Sequence, residues 1–149
     1  MLKRGEKAPE FELKTDEGSL VKLSNFKDKK VILYFYPKDD TPGCTAEACN
    51  LRDNYYQFQK KGVVVLGISK DDEKKHKKFK EKYNLPFPLL ADTDGEVCRK
   101  YGVWGQKKFI GLTYTGIIRT TFIINKGIIE EVITKIKTKT HGEDLLKVV

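Results

Sequence analysis

Apolar and polar positions fall into distinct blocks along this chain, and the blocks predict an α/β fold. Phe11-Glu-Leu-Lys and Ser19-Leu-Val-Lys-Leu alternate apolar and polar around Asp16-Glu-Gly18, the pattern of an N-terminal β-hairpin. Val31-Ile-Leu-Tyr-Phe-Tyr36 is a short β-branched and aromatic run, as a strand buried on both faces requires. Pro37 has no N–H for a sheet ladder and ends that strand. From about Pro42 to Lys61 the apolar positions, including Ala46, Leu51, Tyr55 and Phe58, lie close to helical spacing, and Gly62 supplies the C-terminal cap. Residues 63–69 read as a second buried strand. Residues 71–83 read as a lysine-rich helix ended by Asn84 and Pro86. A short strand at 87–91, a turn at Asp92-Thr-Asp-Gly95 and a helix through Lys100 follow.

Residues 102–117 carry four glycines and read as an irregular excursion. Residues 119–125 and 128–133 form a hairpin turned at Asn125-Lys-Gly127, and 141–149 form a short terminal helix. The order β–α–β–α–β, then a hairpin and a final helix, implies a central mixed β-sheet flanked by helices on both faces. Such a sheet places its site at the first strand–helix turn. In that turn Thr41 fits an N-cap and Pro42 the first helical position. Cys44 then falls in the first helical turn, where unpaired backbone N–H groups carry partial positive charge. A thiolate is stabilised there, so Cys44 reads as a reactive thiol.

Composition narrows the classes. The length of 149 residues suits one domain, 1–149, with a real core. No run reaches the roughly 18 apolar residues of a membrane span, and the N-terminus lacks the apolar segment of a signal peptide. Three cysteines are too few for a disulfide scaffold and odd in number. They point to a reducing compartment, the cytoplasm, with any disulfide transient. The net charge of +8 comes from scattered lysines interrupted by acidic residues, without aromatic interleaving. It reads as a solvated surface, not a nucleic-acid face. Cys44, Cys49, His76 and His141 lack the paired spacings of a zinc site, so no metal is expected. His76, among lysines, reads as a surface or helix-packing residue, and His141 could cap the last helix. No phosphate loop or flavin or nicotinamide fingerprint occurs, so no cofactor is expected.

The string Phe35-Tyr-Pro-Lys-Asp-Asp-Thr-Pro-Gly-Cys-Thr-Ala-Glu-Ala-Cys49 contains Pro37-x-x-x-Thr41-x-x-Cys44. It resembles the active-site motif of the peroxiredoxins, in the bacterioferritin comigratory protein or peroxiredoxin Q branch. Ala91-Asp-Thr-Asp-Gly95, Tyr101-Gly-Val and Arg119-Thr-Thr-Phe extend the resemblance over nearly the whole chain. It implies a thioredoxin-like fold and thiol-dependent reduction of hydroperoxides. It also implies roles: Cys44 as the peroxidatic thiol, the Thr41 hydroxyl and Cys44 N–H as donors to the peroxide, Arg119 as the cationic partner, and Pro37 as a shield from solvent. The other reading of Thr41 is an N-cap, which can hold alongside the first, and that of Arg119 is an edge-strand surface arginine, against which the functional role is preferred. Glu47, one helical turn beyond Cys44, either pairs with Arg119 or is a solvated helix residue. The short terminal helix and the extra Cys98 depart from many relatives.

Attack on a peroxide leaves a sulfenic acid that a second thiol can capture. Cys49, five residues on, sits where a subset of the branch carries a resolving cysteine. Residues five apart in a helix have Cα atoms about 8–9 Å apart, and a disulfide needs them within about 7 Å. A Cys44–Cys49 bond therefore requires residues 43–49 to unwind, and the other reading of Cys49 is a small buried hydrophobe. Cys98, in the apolar stripe with Val97 and Tyr101, reads as structural. Electrons are expected from a thioredoxin-like dithiol protein, and the branch suggests a monomer. The rival readings are a thiol–disulfide oxidoreductase, which normally shows Cys-x-x-Cys, and a redox-regulated holdase.

Overall fold

The computed structural model describes the backbone of residues 1–149 and the side chains of all but Phe109. Seven strands form one mixed sheet. β1 (Glu12–Thr15) and β2 (Leu20–Lys22) make the expected N-terminal hairpin, followed by a 3-10 turn at Leu23–Phe26. β3 (Lys30–Phe35), β4 (Val63–Ser69) and β5 (Leu89–Ala91) run parallel, and β1 joins β5 in the antiparallel sense. Two further strands, described below, complete the far edge.

Alternation along β3 sets the two faces of the sheet. Val31, Leu33 and Phe35 point into one apolar cluster, and Ile32, Tyr34 and Tyr36 into the other. All six are buried, as the unbroken apolar run predicts. The second face is covered by α1 (Pro42–Asp53), α2 (Tyr55–Lys60), α3 (Glu73–Tyr83) and a C-terminal helix. The first is covered by α4 (Glu96–Lys100) and the N-terminal segment. On that face Phe35, Tyr101 and Phe122 pack with ring centroids 5.3 to 5.8 Å apart.

Three expectations need correction. The helix expected over 42–61 is two helices, because Asn54 leaves the helical region (φ −104, ψ 3) and its side chain donates to the Asn50 carbonyl. The segment 102–117 is not irregular. It is a two-stranded hairpin, β6 (Trp104–Phe109) and β7 (Leu112–Ile117), turned at Ile110 and Gly111, both with positive φ. Its glycines hid the alternation, and Ile110 stands where Asn or Asp usually announces such a turn. The lysine-rich helix starts at Glu73, because the Asp72 side chain accepts from the Lys75 N–H and caps it.

The expected second hairpin is present. β8 (Thr120–Asn125) pairs antiparallel with β3, Thr120 opposite Phe35, and β9 (Ile128–Ile133) closes that edge. The sheet order is β2-β1-β5-β4-β3-β8-β9. This register brings residue 119 to the C-terminal end of β3, beside the strand–helix turn. The last helix, α5 (His141–Leu146), docks on α1: the Gly142 N–H donates to Asn50 Oδ1, and Asn50 Nδ2 donates to Glu143. A Cβ at Gly142 would lie 2.6 to 2.9 Å from Asn50 and Asn54 atoms, so only glycine permits this approach. No helix among the described residues is long and apolar enough to cross a membrane.

Candidate active site

The turn from β3 to α1 is six residues, 36–41, and it delivers Cys44 to the third position of α1. Thr41 has extended N-cap geometry (φ −99, ψ 157) and Pro42 occupies the first helical position. The first bond of the helix runs from the Thr45 N–H to the Thr41 carbonyl at 2.8 Å. The N–H groups of Gly43 and Cys44 precede it, and they give this helix end its partial positive charge. Cys44 itself is 1% exposed.

Thr41 sits at the N-cap position but its side chain does not cap. Its hydroxyl donates to the Lys38 carbonyl at 2.8 Å. With that hydrogen engaged, the hydroxyl can meet a ligand only as an acceptor, not as the donor that the resemblance implies. Pro37, half-buried, borders a groove of about 310 Å³ lined also by Lys38, Trp104, Lys107 and Tyr114. A cavity of about 580 Å³ lies at the other end of β3 among Ala8, Leu23, Phe26, Val31 and Ile124, and Cys44 lines neither it nor the groove at Pro37.

Arg119, immediately before β8, closes the other side. Its Nη2 donates to Cys44 Sγ at 3.4 Å and its Nη1 donates to Glu47 Oε1 at 2.6 Å. The guanidinium thus spans the thiol and a carboxylate one helical turn on, two positions that share a helix face. It is a partner of the site and not a surface arginine. A Cβ at residue 43 would lie 3.2 Å from Arg119 Nη2, so Gly43 makes room for it. Glu47 is fully buried and not solvated. Burial pushes its carboxyl up to about 7, against the pull of Arg119. Its second oxygen, Oε2, has no hydrogen-bond partner among the described residues, and His141 Nε2 lies 3.6 Å away.

His141 is therefore not a cap. It is buried on α5, and its Nε2 lies 2.8 Å from Thr121 Oγ1. Burial lowers its pKa to about 4, so the ring facing Glu47 is neutral. Lys107 also reaches the neighbourhood. Burial, then the charge of Arg119, lowers its pKa, and its Nζ donates to the Ile117 carbonyl at 2.8 Å. Neither residue was legible as part of the site. Lys107 lies in the segment read as irregular, and His141 is 97 positions from Cys44 in sequence.

The other two cysteines sit apart in character. All three are free thiols. Cys49 is half-buried on α1. Cys98 is fully buried on α4, in the cluster on the opposite face of the sheet from Cys44. Burial pushes its thiol up, and Asp92 adds to the shift. His76, expected at the surface or packing in a helix, is fully buried beside Asp39 and Asp71, and the three offer ligand atoms within 4.8 Å of one another. Those atoms are already engaged, His76 Nδ1 with Asp39 and Asp71 Oδ2 with the Ser69 hydroxyl.

A thiol at a helix N-terminus and a guanidinium that bridges it to a carboxyl suit attack by sulfur on a polarised bond. Comparison with known proteins agrees. The AhpC/TSA family profile matches residues 4–132. A Coxiella burnetii protein that carries the name peroxiredoxin bcp is 59% identical over 143 residues, 95% of each chain. Peroxiredoxin Bcp of Bacillus subtilis is 49% identical over 96% of this chain and 92% of its own. Among solved structures, a Xylella fastidiosa PrxQ mutant superimposes with a TM-score of 0.92 at 30% identity, covering 99% of this chain and 94% of that one. The Xanthomonas campestris bacterioferritin comigratory protein, described for its alkyl peroxide reduction, gives 0.86 at 33% identity over 92% and 88%. The fold is the thioredoxin-like fold of these proteins, and the chain belongs to the AhpC/TSA family as a peroxiredoxin of the Bcp or peroxiredoxin Q group, a thiol-dependent peroxidase.

Proposed function

We propose that Cys44 is the peroxidatic thiol, that Thr41, Arg119 and the Cys44 N–H hold the peroxide, and that Cys49 resolves the oxidised enzyme. The observation that carries this reading is the Arg119 guanidinium, within hydrogen-bond reach of Cys44 Sγ and tied to Glu47. The Cys44 thiolate attacks one oxygen of the substrate and the O–O bond breaks. The departing oxygen takes a proton and leaves as water or an alcohol, and Cys44 becomes a sulfenic acid. Charge builds on the departing oxygen as the bond stretches. Arg119 is placed to stabilise that charge, and such donors contribute about 10²–10³ in rate. Thr41 accepts from the peroxide O–H, its own hydrogen being held by Lys38. Pro37 keeps bulk water off the thiolate.

Resolution follows by attack of the Cys49 thiolate on the sulfenic sulfur, expelling hydroxide and forming a disulfide. The α1 geometry keeps the two thiols too far apart for this until the first turns unwind. Local opening of a helix end is the least costly motion available there. A thioredoxin-like dithiol then restores both thiols by exchange. Hydrogen peroxide and organic hydroperoxides are both within this chemistry. We place the whole chain, 1–149, in one monomeric domain that works in the cytoplasm, where free cysteines stay reduced.

Intact mass and peptide mapping after one equivalent of hydrogen peroxide test the assignment. Wild type should lose two hydrogens, mapped to Cys44–Cys49, and Cys49→Ser should retain a Cys44 sulfenic acid. A Cys44–Cys98 bridge would reassign the resolving thiol, and an unmodified Cys44 would remove the peroxidatic role.

A further inference from the structure

A six-residue turn sets the position of Thr41 and Cys44, and its own conformation is not a relaxed one. Asp40 sits in the left-handed region at φ 57, where a side chain is carried at a cost. Something must hold the turn, and the ties lead away from Cys44, to the end of β4 and to α3. Asp40 accepts from Lys82 Nζ at 2.8 Å and from the Tyr83 hydroxyl at 2.9 Å, both at the surface. Asp39 is the buried tie. Its N–H donates to Asp71 Oδ2 at 2.9 Å, and its Oδ1 accepts from the Tyr36 hydroxyl at 2.6 Å. Its Oδ2 lies 2.6 Å from His76 Nδ1. His76 is fully buried on α3, and its Nε2 lies 2.9 Å from the Leu90 carbonyl oxygen of β5.

The proton count at His76 follows from its partners. A carbonyl oxygen only accepts, so Nε2 carries a hydrogen. Nδ1 faces a carboxylate oxygen, and a bare lone pair there would repel it. The short contact needs a second proton, and an ionised Asp39 accepting from both Tyr36 and His76 uses every partner in its proper sense. We propose that His76 is held as an imidazolium and clamps the Cys44 turn through Asp39, which makes it a positioning residue for peroxide reduction. The proposal rests on Cys44 being the peroxidatic thiol.

A pH dependence follows. The groups facing the ring are Asp39 from the turn, Asp71 from beyond β4, Tyr36 from the end of β3 and the Leu90 carbonyl. Burial disfavours the charged ring, but Asp39, the Leu90 carbonyl and Asp71 outweigh it, and the His76 pKa is raised above its ordinary value. A base whose folded pKa is raised contributes its full stabilisation below about pH 6.5, the unfolded value, and loses it as pH rises through the folded value. The clamp therefore loosens on the alkaline side, where ionisation of a thiol would otherwise favour reaction.

The chain has two histidines, so imidazole nitrogen NMR separates them. At pH 7 wild type should show one ring protonated on both nitrogens, absent from His76→Gln, and one neutral ring from His141. The second-order rate constant for hydrogen peroxide, followed by stopped flow, should fall in wild type as the His76 ring deprotonates. In His76→Gln it should be about tenfold lower at pH 7, the scale of a small misplacement of a reacting group, and lack that alkaline fall. Asp39→Asn keeps the ring but removes the charge that holds its second proton. It should return the ring to neutrality at pH 7 and lower the rate constant similarly. A neutral His76 in wild type at pH 7 would overturn the clamp even if neither variant folds. So would a wild-type rate and profile in His76→Gln. A wild type in which peroxide leaves Cys44 unoxidised would instead overturn the Cys44 assignment, and the role of His76 with it.

Discussion

Cys44 and Cys98 are 1% and 0% exposed and lie in the two apolar clusters on opposite faces of one sheet. Both lie in the first turn of a helix that follows a parallel strand, Cys44 after β3 and Cys98 after β5. Their partners differ. Cys44 lies against a guanidinium at the start of a twelve-residue helix. Cys98 lies against the Asp92 carboxylate, which also accepts from its own N–H at 2.9 Å. A cation and helix N–H groups favour a thiolate, and a buried carboxylate opposes one. Burial alone does not make a cysteine inert or reactive. The roles proposed for the two thiols follow the sign of the nearest charge.

The largest effect should come from removing Cys44. Cys44→Ser should abolish peroxide reduction in a donor-coupled assay, with loss of at least about 10³ in rate, since it removes the proposed nucleophile. Arg119→Met tests the cation that separates the two sites. It should lower the second-order rate constant by about 10²-fold, the usual loss for one transition-state donor. It also strands Glu47 in the interior without its partner. If Arg119→Met kept the wild-type rate, the guanidinium would not be what distinguishes Cys44 from Cys98.

Glu47 offers a finer cut. Its folded pKa of about 7 lies above the ordinary carboxyl value of 4.5. Between those values the folded state binds more protons than the unfolded one, so this residue makes stability fall as pH rises from about 4.5 to about 7. Glu47→Gln cannot ionise. Urea denaturation at pH 5 and pH 8 should show the variant losing less stability across that range than wild type. Its rate constant should change by a few-fold, about 3 to 10, because Arg119 no longer divides its charge with a carboxylate. A wild type whose pH dependence equals that of Glu47→Gln would show the carboxyl to be ionised throughout.

The half of the site built from contiguous residues was legible in the sequence. The run 31–36, the proline that ends it, Thr41-Pro42 and Cys44 state strand, turn and helix start in local terms, and the structure follows them. The link to Arg119 spans 75 positions and depends on β8 pairing with β3, which no local pattern announces. It entered only through the family resemblance. His76 was obscured by its neighbours, since Lys74, Lys75, Lys77 and Lys78 are exposed on the same helix. The signal was present at positions i, i+3 and i+7: His76 and Phe79 are buried and Tyr83 is half-buried, one inward stripe in a lysine-rich helix. The hairpin 104–117 was missed for a different reason. Both its strands contain glycine, and its turn residues, Ile110 and Gly111, lack the Asn-Gly or Asp-Gly signature.

The smallest effect should come from Cys98. Cys98→Ala removes one sulfur from a packed cluster that includes Val97, Tyr101 and Phe122, a loss of about 1 kcal/mol or somewhat more. For a chain of this size that is a fall in Tm of roughly 2–4 °C. The peroxide rate constant and the yield of Cys44–Cys49 disulfide should stay within about twofold of wild type, since no charge near Cys44 changes. Alkylation should sharpen the point. Iodoacetamide at neutral pH should label Cys44 in the folded wild type and reach Cys98 only on unfolding, because Asp92 and burial both keep Cys98 as a neutral thiol. Equal labelling of the two in the folded protein would mean that the neighbouring charges do not set thiol reactivity here, and that access alone does.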